Sequence, residues 1–363
     1  MNPLIKLNEL GQSIWLDFFD REMMNSGSLQ KLIDEDKLAG ITSNPSIFEK
    51  AITSGSDYDD DVKSLSKEHA DLEAIFFEFA VKDIRRATDI MRPVYDAANG
   101  NDGFVSLEVS PFLAKDEEKT VKQAIELWRK VDRDNVMIKI PSTREGIRAI
   151  RRATAEGINV NVTLLFGLER YKEVVDAYLS GLEDRVQAGK PIDKIRSVAS
   201  FFLSRIDVLL DPQLLNKGLK GLTGEIAVAS AKMAYQIYLE LFGGERFEKL
   251  TAKGAKAQRL LWASTGTKNP LYSDVKYVEP LIGENTVNTL PIDTIDAFRD
   301  HGKAVLSIQK DLEKSTEYLK QLKENGFDLD EISDQLEAEG IEKFNESFRT
   351  LLKAIENKAT SAS

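Results

Sequence analysis

The sequence predicts an α/β chain whose strands close into a (β/α)8 TIM barrel, a single domain carrying an additional helical segment toward its C-terminal end. Three observations carry that expectation. Short β-rich apolar runs recur along the chain, segments with helical spacing separate them, and the polar residues inside the runs fall late, where the ends of parallel strands meet on one face.

Eight runs qualify as strands, in order 13–19 (SIWLDFF), 39–44 (AGITSN), 103–109 (GFVSLEV), 136–141 (VMIKIP), 158–163 (INVNVT), 197–202 (SVASFF), 259–265 (RLLWAST) and 286–291 (TVNTLP). Helical spacing lies between them, as in Ile75, Phe76, Phe79, Ile84, Ala87 and Met91 before the third run and Leu179, Leu182 and Val186 before the sixth. Such alternation implies parallel strands with crossover helices. Eight such units close a barrel in about 250 residues, so a chain of 363 leaves room for insertions and a tail. No Pro/Gly/Ser-rich linker interrupts it, which predicts one domain over 1–363. Residues 297–358 are expected to be helical cover packed on the barrel exterior. A short helix with Ile332 and Leu336 ends there at Gly340 as a C-cap, and a stripe of Ile341, Phe344, Phe348, Leu351, Leu352 and Ile355 follows. The 359–363 end is expected to fray.

Composition removes several kinds of chemistry. With 49 Lys+Arg against 60 Asp+Glu the net charge is −11, so nucleic acid is not expected as a partner, although a local anion site remains compatible. No cysteine is present, which excludes thiol nucleophiles, disulfides and Cys-held metals, and His69 and His301 are too few for an imidazole metal centre. There is no GxGxxG after a strand, no GxxxxGK[ST], no HExxH and no EF-hand loop, so no metal or other cofactor is expected. Glu22, Asp34, Asp36 and the run Asp57, Asp59, Asp60, Asp61 read as solvated charge. The N-terminal residues lack a signal-peptide pattern and no stretch of 18 residues is free of charge, so a soluble cytoplasmic protein without a membrane span is expected.

Within the runs, Asp17, Thr42 with Asn44, Glu108, Lys139, Asn161 with Thr163, and Ser200 all stand near the C-terminal ends. Side chains two apart in a strand point the same way, so Asn159, Asn161 and Thr163 are expected to face the barrel axis together. Singly, each has a bland reading as a cap or turn residue, Asn44 before Pro45 above all. Together they do not, because burying Asp, Glu, Lys and Asn in a barrel interior without use costs several kcal/mol of desolvation.

Lys139 is the sharpest case. It stands between Ile138 and Ile140, and the strand is closed by Pro141 and by Ser142-Thr143-Arg144-Glu145, whose capping-box spacing predicts a helix over 143–155. An interior lysine at a strand's carboxyl end is desolvated, which favours the neutral amine, a nucleophile toward carbonyl carbon. Asp17 and Glu108 are the carboxylates available for the proton transfers that imine chemistry needs, and Thr163 is placed to hold a water between Glu108 and the lysine. Asn44 and Asn161 suit the hydroxyls of a polyol. Arg205 after the sixth strand and Lys268 after the seventh, with Ser200, suit a phosphate. Arg144, Arg148, Arg151 and Arg152 read instead as a solvated helix face.

Taken in order, GITSNPSIF (40–48), VSLEV (105–109), IKIPST (138–143), INVNVTLLF (158–166), SVASFFLSRID (197–207), LWASTGTKNP (261–270) and TVNTLP (286–291) resemble the segments of the longer bacterial transaldolases, over nearly the whole chain. The resemblance implies a cofactor-free class I aldolase mechanism that moves a dihydroxyacetone unit from a ketose phosphate to an aldose phosphate in the pentose phosphate pathway. It implies that Lys139 forms the Schiff base and that Asp17 exchanges a proton with the sugar C4 hydroxyl. It further implies that Glu108 and Thr163 hold the catalytic water, that Thr42, Asn44, Asn161, Ser200 and Phe202 surround the substrate, and that Arg205 binds phosphate. One position departs: shorter transaldolases carry a second phosphate arginine in the loop after the seventh strand, where this chain offers Lys268. A monomer or homodimer is compatible with the family. Two other activities suit the same residues, an aldolase releasing free dihydroxyacetone and a non-catalytic sugar-phosphate-binding barrel.

Overall fold

In a computed structural model, which describes residues 2–361, the chain runs α1 (Pro3–Glu9), β1 (Gln12–Leu16), α2 (Arg21–Ser26), α3 (Ser28–Asp36), β2 (Gly40–Ile41), α4 (Pro45–Ser54), α5 (Asp59–Leu65), α6 (Leu72–Ala97) and β3 (Phe104–Glu108). It continues through α7 (Glu117–Val131), β4 (Val136–Pro141), α8 (Arg144–Glu156), β5 (Val160–Leu165), α9 (Leu168–Gln187), β6 (Ser197–Phe202), α10 (Ser204–Asn216), α11 (Ile226–Phe242), α12 (Glu245–Thr251), β7 (Arg259–Ala263), β8 (Thr286–Leu290), α13 (Ile292–His301), α14 (Leu312–Glu324) and α15 (Leu329–Ser361). The strands form a closed barrel in sequence order, every pair parallel, with β8 returning to β1. All eight expected strands are present. β4 and β6 keep the expected bounds, whereas β2 is cut to Gly40–Ile41 because Asn44 turns the chain into α4 by accepting the Ile47 amide. No described helix is long and apolar enough to cross a membrane.

Register decides which side chains meet. Glu108 of β3 lies beside Lys139 of β4, which lies beside Asn161 of β5, so three late polar residues share one rung. One residue further on, β5 carries a bulge against β6 between Val162 and Leu165, and Leu164 takes a left-handed φ of 55°. Non-glycine residues in that region are strained by about 1 kcal/mol or more and gather at functional sites, where a bulge re-aims the neighbouring side chain. Thr163 is that neighbour. At the opposite end of the barrel, the Arg259 guanidinium donates to the Ser13 hydroxyl at 2.6 Å and the Thr286 carbonyl at 2.8 Å, and pairs with Asp102 at 3.1 Å, tying β1, β7 and β8 together.

Three expectations need correction. The helix after β4 is capped by Thr143, whose hydroxyl accepts the Gly146 amide at 2.9 Å, not by Ser142, which donates to the Leu164 carbonyl. Gly340 does not end a helix. α15 runs through it, and the glycine marks a close approach instead, since a Cβ there would sit 2.9 Å from the end of the Leu164 side chain and 3.2 Å from the Arg205 guanidinium. Residues 359–361 are the last of α15, and 362–363 lie outside the described residues. Finally, the C-terminal segment does not simply cover the barrel's outside. α15 crosses α4, α6 and the end of β5 at the C-terminal rim, where Phe348 packs edge-on to Phe76, itself edge-on to Phe48. The stripe read from the sequence is that contact face, with Ile341, Phe344, Phe348, Leu351 and Ile355 buried.

Candidate active site

The barrel's C-terminal face opens into a cavity of about 620 Å³. Asp17, Thr42, Asn44, Lys139, Thr163, Ser200, Phe202, Arg205 and Lys268 line it, contributed by the ends of five strands, by α10 and by the segment after β7. Sequence reasoning named all of these. Two further named residues stand one layer behind. Glu108 faces Lys139 from a cleft shared with Phe48, Phe76 and Phe348. Asn161, fully buried, accepts the Ser200 hydroxyl at 2.7 Å and donates to Ser106 at 3.0 Å, so it holds Ser200 rather than opening to the cavity. Asn159, expected to face the axis, donates to the carbonyls of Asp134 and Val136 and accepts the Arg196 amide, which stitches neighbouring strands.

Lys139 is 5% exposed. Its ammonium donates to the Ser43 carbonyl at 2.9 Å and lies 3.3 Å from Glu108 Oε2, so the amine is held against one wall with its position set by two strands. Apart from that ion pair Glu108 Oε2 has no hydrogen-bond partner among the described residues, and the buried Thr163 hydroxyl has none either. Buried polar atoms of this kind are ordinarily satisfied, so each is suited to an ordered water.

Asp17 follows β1 directly, its amide bonded to the Leu290 carbonyl. The Thr42 hydroxyl donates to its carboxylate at 3.0 Å and lies 2.9 Å from the Thr289 hydroxyl. Part of Asp17 opens to the cavity while protein encloses the rest. That enclosure raises its pKa above the ordinary carboxylate value, with the charges of Lys139, Lys268 and Arg205 and the Thr42 hydrogen bond acting the other way. Burial likewise raises Glu108, opposed by Lys139 and reinforced by Asp17. Two carboxylates whose pKa is raised by burial, flanking one buried amine, are suited to both holding and releasing protons.

Across the cavity, the Arg205 guanidinium stands 5.6 Å from the Phe202 ring and 5.9 Å from the Phe344 ring. Burial lowers its pKa against the charges of Asp17 and Glu339, yet a guanidinium stays cationic throughout the working range. Lys50, Lys268 and Lys343 also line the cavity, and among the described residues none of these four cations has a carboxylate within ion-pair distance. By contrast, the loop arginines read as solvated are engaged on the surface, Arg148 with Glu117, Arg151 with Asp184 and Arg152 with Glu118. In the acidic run Asp61 pairs with Arg21 and Lys82.

Several lining residues escaped sequence reasoning: Ser46 and Lys50 of α4, Thr289 of β8, and Lys343, Phe344 and Ser347 of α15. Thr289 carried a usable signal, a late polar residue in the eighth run. Lys343 and Ser347 carried none, because they flank an apolar stripe whose docking place is set by the fold. There Ser347 and Ser46 join hydroxyls at 2.7 Å and pin α15 to α4 at the cavity rim.

Comparison with known proteins shows the family of this chain. A family model described as transaldolase/fructose-6-phosphate aldolase matches residues 14–355. A protein named transaldolase from Trichodesmium erythraeum is 47% identical over 371 residues, covering 98% of this chain and 97% of that protein. Another of that name from Thiobacillus denitrificans is 45% identical over 358 residues, covering 98% and 100%. One named transaldolase 2 from Nostoc is 43% identical over 372 residues, covering 99% and 98%.

Proposed function

The chain belongs to the transaldolase/fructose-6-phosphate aldolase family, and from that premise we propose that its cavity performs Schiff-base transfer of a dihydroxyacetone unit at Lys139. It is an enzyme, a transferase, and its activity is that of a transaldolase. The observation that carries the residue assignment is a buried lysine amine 3.3 Å from a buried carboxylate on the floor of a cavity otherwise rich in hydroxyls and cations.

In this reading the Lys139 amine, having given up a proton, attacks the ketose C2 carbonyl. The Nζ–C2 bond forms and the carbonyl oxygen becomes a hydroxyl, which leaves as water with Glu108 supplying the proton and Thr163 orienting the departing molecule. The iminium then draws electrons from the C3–C4 bond as Asp17 accepts the C4 hydroxyl proton. The aldose phosphate departs, and the three-carbon enamine stays on Lys139. Attack of that enamine on a second aldehyde, with Asp17 returning its proton, forms the new C3–C4 bond and leaves the product as an iminium on Lys139. Water then adds to C2 while giving a proton back to Glu108, and breaking of the C2–Nζ bond releases the new ketose phosphate and frees Lys139. Thr42 keeps Asp17 oriented, Asn161 acts by holding Ser200, and Asn44, Ser200 and Phe202 shape the space around the fragment. Arg205 and Lys268 take the phosphate. No step requires a metal or organic cofactor.

We further infer sedoheptulose 7-phosphate or fructose 6-phosphate as donor and glyceraldehyde 3-phosphate or erythrose 4-phosphate as acceptor, in the cytoplasm, by a monomer or homodimer that does not bind nucleic acid. Fructose 6-phosphate with borohydride is expected to leave a reduced adduct on Lys139, located by peptide mass, and Lys139→Met is expected to abolish both adduct and turnover. An unmodified Lys139 overturns the mechanism. Turnover without an acceptor aldehyde, releasing free dihydroxyacetone at the same rate, overturns transfer in favour of simple aldol cleavage.

A further inference from the structure

Behind the phosphate-facing side of α10 lies a buried polar network that the chemistry above does not use. Asp207 and Asp211 stand one turn apart, on the same face of α10 and on the side away from Arg205, which precedes Asp207 by two residues. Asp207 is 1% exposed. Its Oδ1 accepts the Ala227 amide at the start of α11 at 3.0 Å, and its Oδ2 accepts the Tyr277 hydroxyl at 2.8 Å. Asp211 repeats the arrangement, accepting the Gly224 amide at 2.8 Å and the Tyr272 hydroxyl at 2.7 Å. Lys276 sits between the two tyrosines, 4.4 Å and 5.5 Å from their ring centres, with its ammonium 3.8 Å from Asp207 and donating to the Gly224 carbonyl.

Tyr272, Lys276 and Tyr277 all belong to the segment between β7 and β8, and so does Lys268. One side of α10 therefore presents Arg205 to the cavity while the other holds the segment that presents Lys268. We propose that Asp207 and Asp211, acting through Tyr277 and Tyr272, are positioning residues that set the separation of Arg205 and Lys268 and so tune recognition of the substrate's phosphate. This rests on the assignment of Arg205 and Lys268 to phosphate given above. Holding the amides of Ala227 in the first turn of α11 and of Gly224 just before that helix accounts for only one oxygen of each carboxylate. The second oxygen of each goes to a tyrosine of the Lys268 segment, and a cap alone does not call for that.

The test compares wild type with Asp207→Asn, Tyr277→Phe and the double variant Tyr272→Phe/Tyr277→Phe. Acceptor kinetics are measured with glyceraldehyde 3-phosphate and with unphosphorylated glyceraldehyde at saturating donor, and inhibition by inorganic phosphate is measured alongside. The expected result is a KM for the phosphorylated aldehyde raised about tenfold, the scale of losing a well-placed charge-assisted hydrogen bond. A matching rise in the phosphate inhibition constant is expected, with kcat and the unphosphorylated reaction held within about twofold. An equal loss on both aldehydes, or an unchanged ratio between them, overturns the positioning role and leaves the network purely structural. If Asp207→Asn does not fold, the tyrosine variants, which each lose only hydroxyl groups, decide the question. Borohydride trapping on wild-type Lys139 separates the two levels: no adduct overturns the site reading itself, whereas an adduct with unaltered phosphate preference overturns only the network.

Discussion

Asp17 and Glu108 owe their proton-exchanging character to what surrounds them, since burial raises both above the ordinary carboxylate range despite the neighbouring Lys139 charge. A base must be ionised to accept the C4 proton, so kcat/KM is expected to fall with decreasing pH along a limb lying above the ordinary Asp value. Asp17→Asn is expected to lose that limb together with about 10²- to 10⁴-fold in rate, as pH–rate profiles of the two proteins will show. Asp207 offers a second pH effect, on stability. Burial raises its pKa from 3.8 to about 6, so its contribution is fully present below pH 3.8 and is lost as pH rises through about 6. Asp207→Asn does not titrate. Between pH 4.5 and 7.5 its unfolding free energy is therefore expected to gain roughly 2 kcal/mol on that of the wild type, measured by urea melts at each pH. The strand-end residues were legible as a set, because several polar residues late in apolar strands have no shared bland explanation, although each singly does. Glu108 and Asn161 were legible as participants but not as residues standing behind the cavity, since depth along the barrel radius leaves no mark on sequence spacing.

Elements hold those residues in place through close approaches that single glycines permit. Gly146, in the first turn of α8, lies so near the end of β4 that a Cβ would fall 1.9 Å from the Pro141 carbonyl oxygen and 2.9 Å from the Thr143 hydroxyl. The contact is with backbone, which cannot swing aside, and Pro141 is two residues from Lys139. Gly146→Ala is expected to destabilise the protein by about 2–4 kcal/mol and to lower kcat as the strand end shifts, read by urea unfolding and steady-state rates on the same preparation. Strand positions were the most legible feature, because runs rich in Val, Ile and aromatic residues bounded by Gly and Pro have a pattern that survives any docking geometry. β2 was overestimated since Thr42 and Asn44 satisfy a strand pattern and a helix cap equally well, and only the Ile47 amide bonded to Asn44 decides between them. Gly340 misled for a similar reason. A glycine between two apolar helical segments reads as a stop, whereas here it lets one continuous helix pass close to Leu164 and Arg205.

For the molecule as a whole, a net charge of −11 opposes the approach of an anionic sugar, while Lys50, Arg205, Lys268 and Lys343 at the cavity form a local field that no neighbouring carboxylate quenches by ion pairing among the described residues. Salt screens such a field over about 8–10 Å at physiological strength. Raising ionic strength from about 20 to 300 mM is accordingly expected to lower kcat/KM roughly three- to tenfold for phosphorylated aldehydes and to leave unphosphorylated ones nearly unmoved. Equal salt dependence for both would remove any steering role from these cations. The eight-stranded order, the amine-bearing strand and the ring of polar strand ends were determined by sequence alone, because periodicity and strand-end chemistry are local properties of the chain. The place of α15 over the rim, its gift of Lys343, Phe344 and Ser347 to the cavity, and the bolting of α10 to the Lys268 segment were decided only by tertiary structure. An apolar stripe specifies that a helix must dock but not where, and which distant polar groups end up in contact follows from the three-dimensional fit of surfaces tens to hundreds of residues apart.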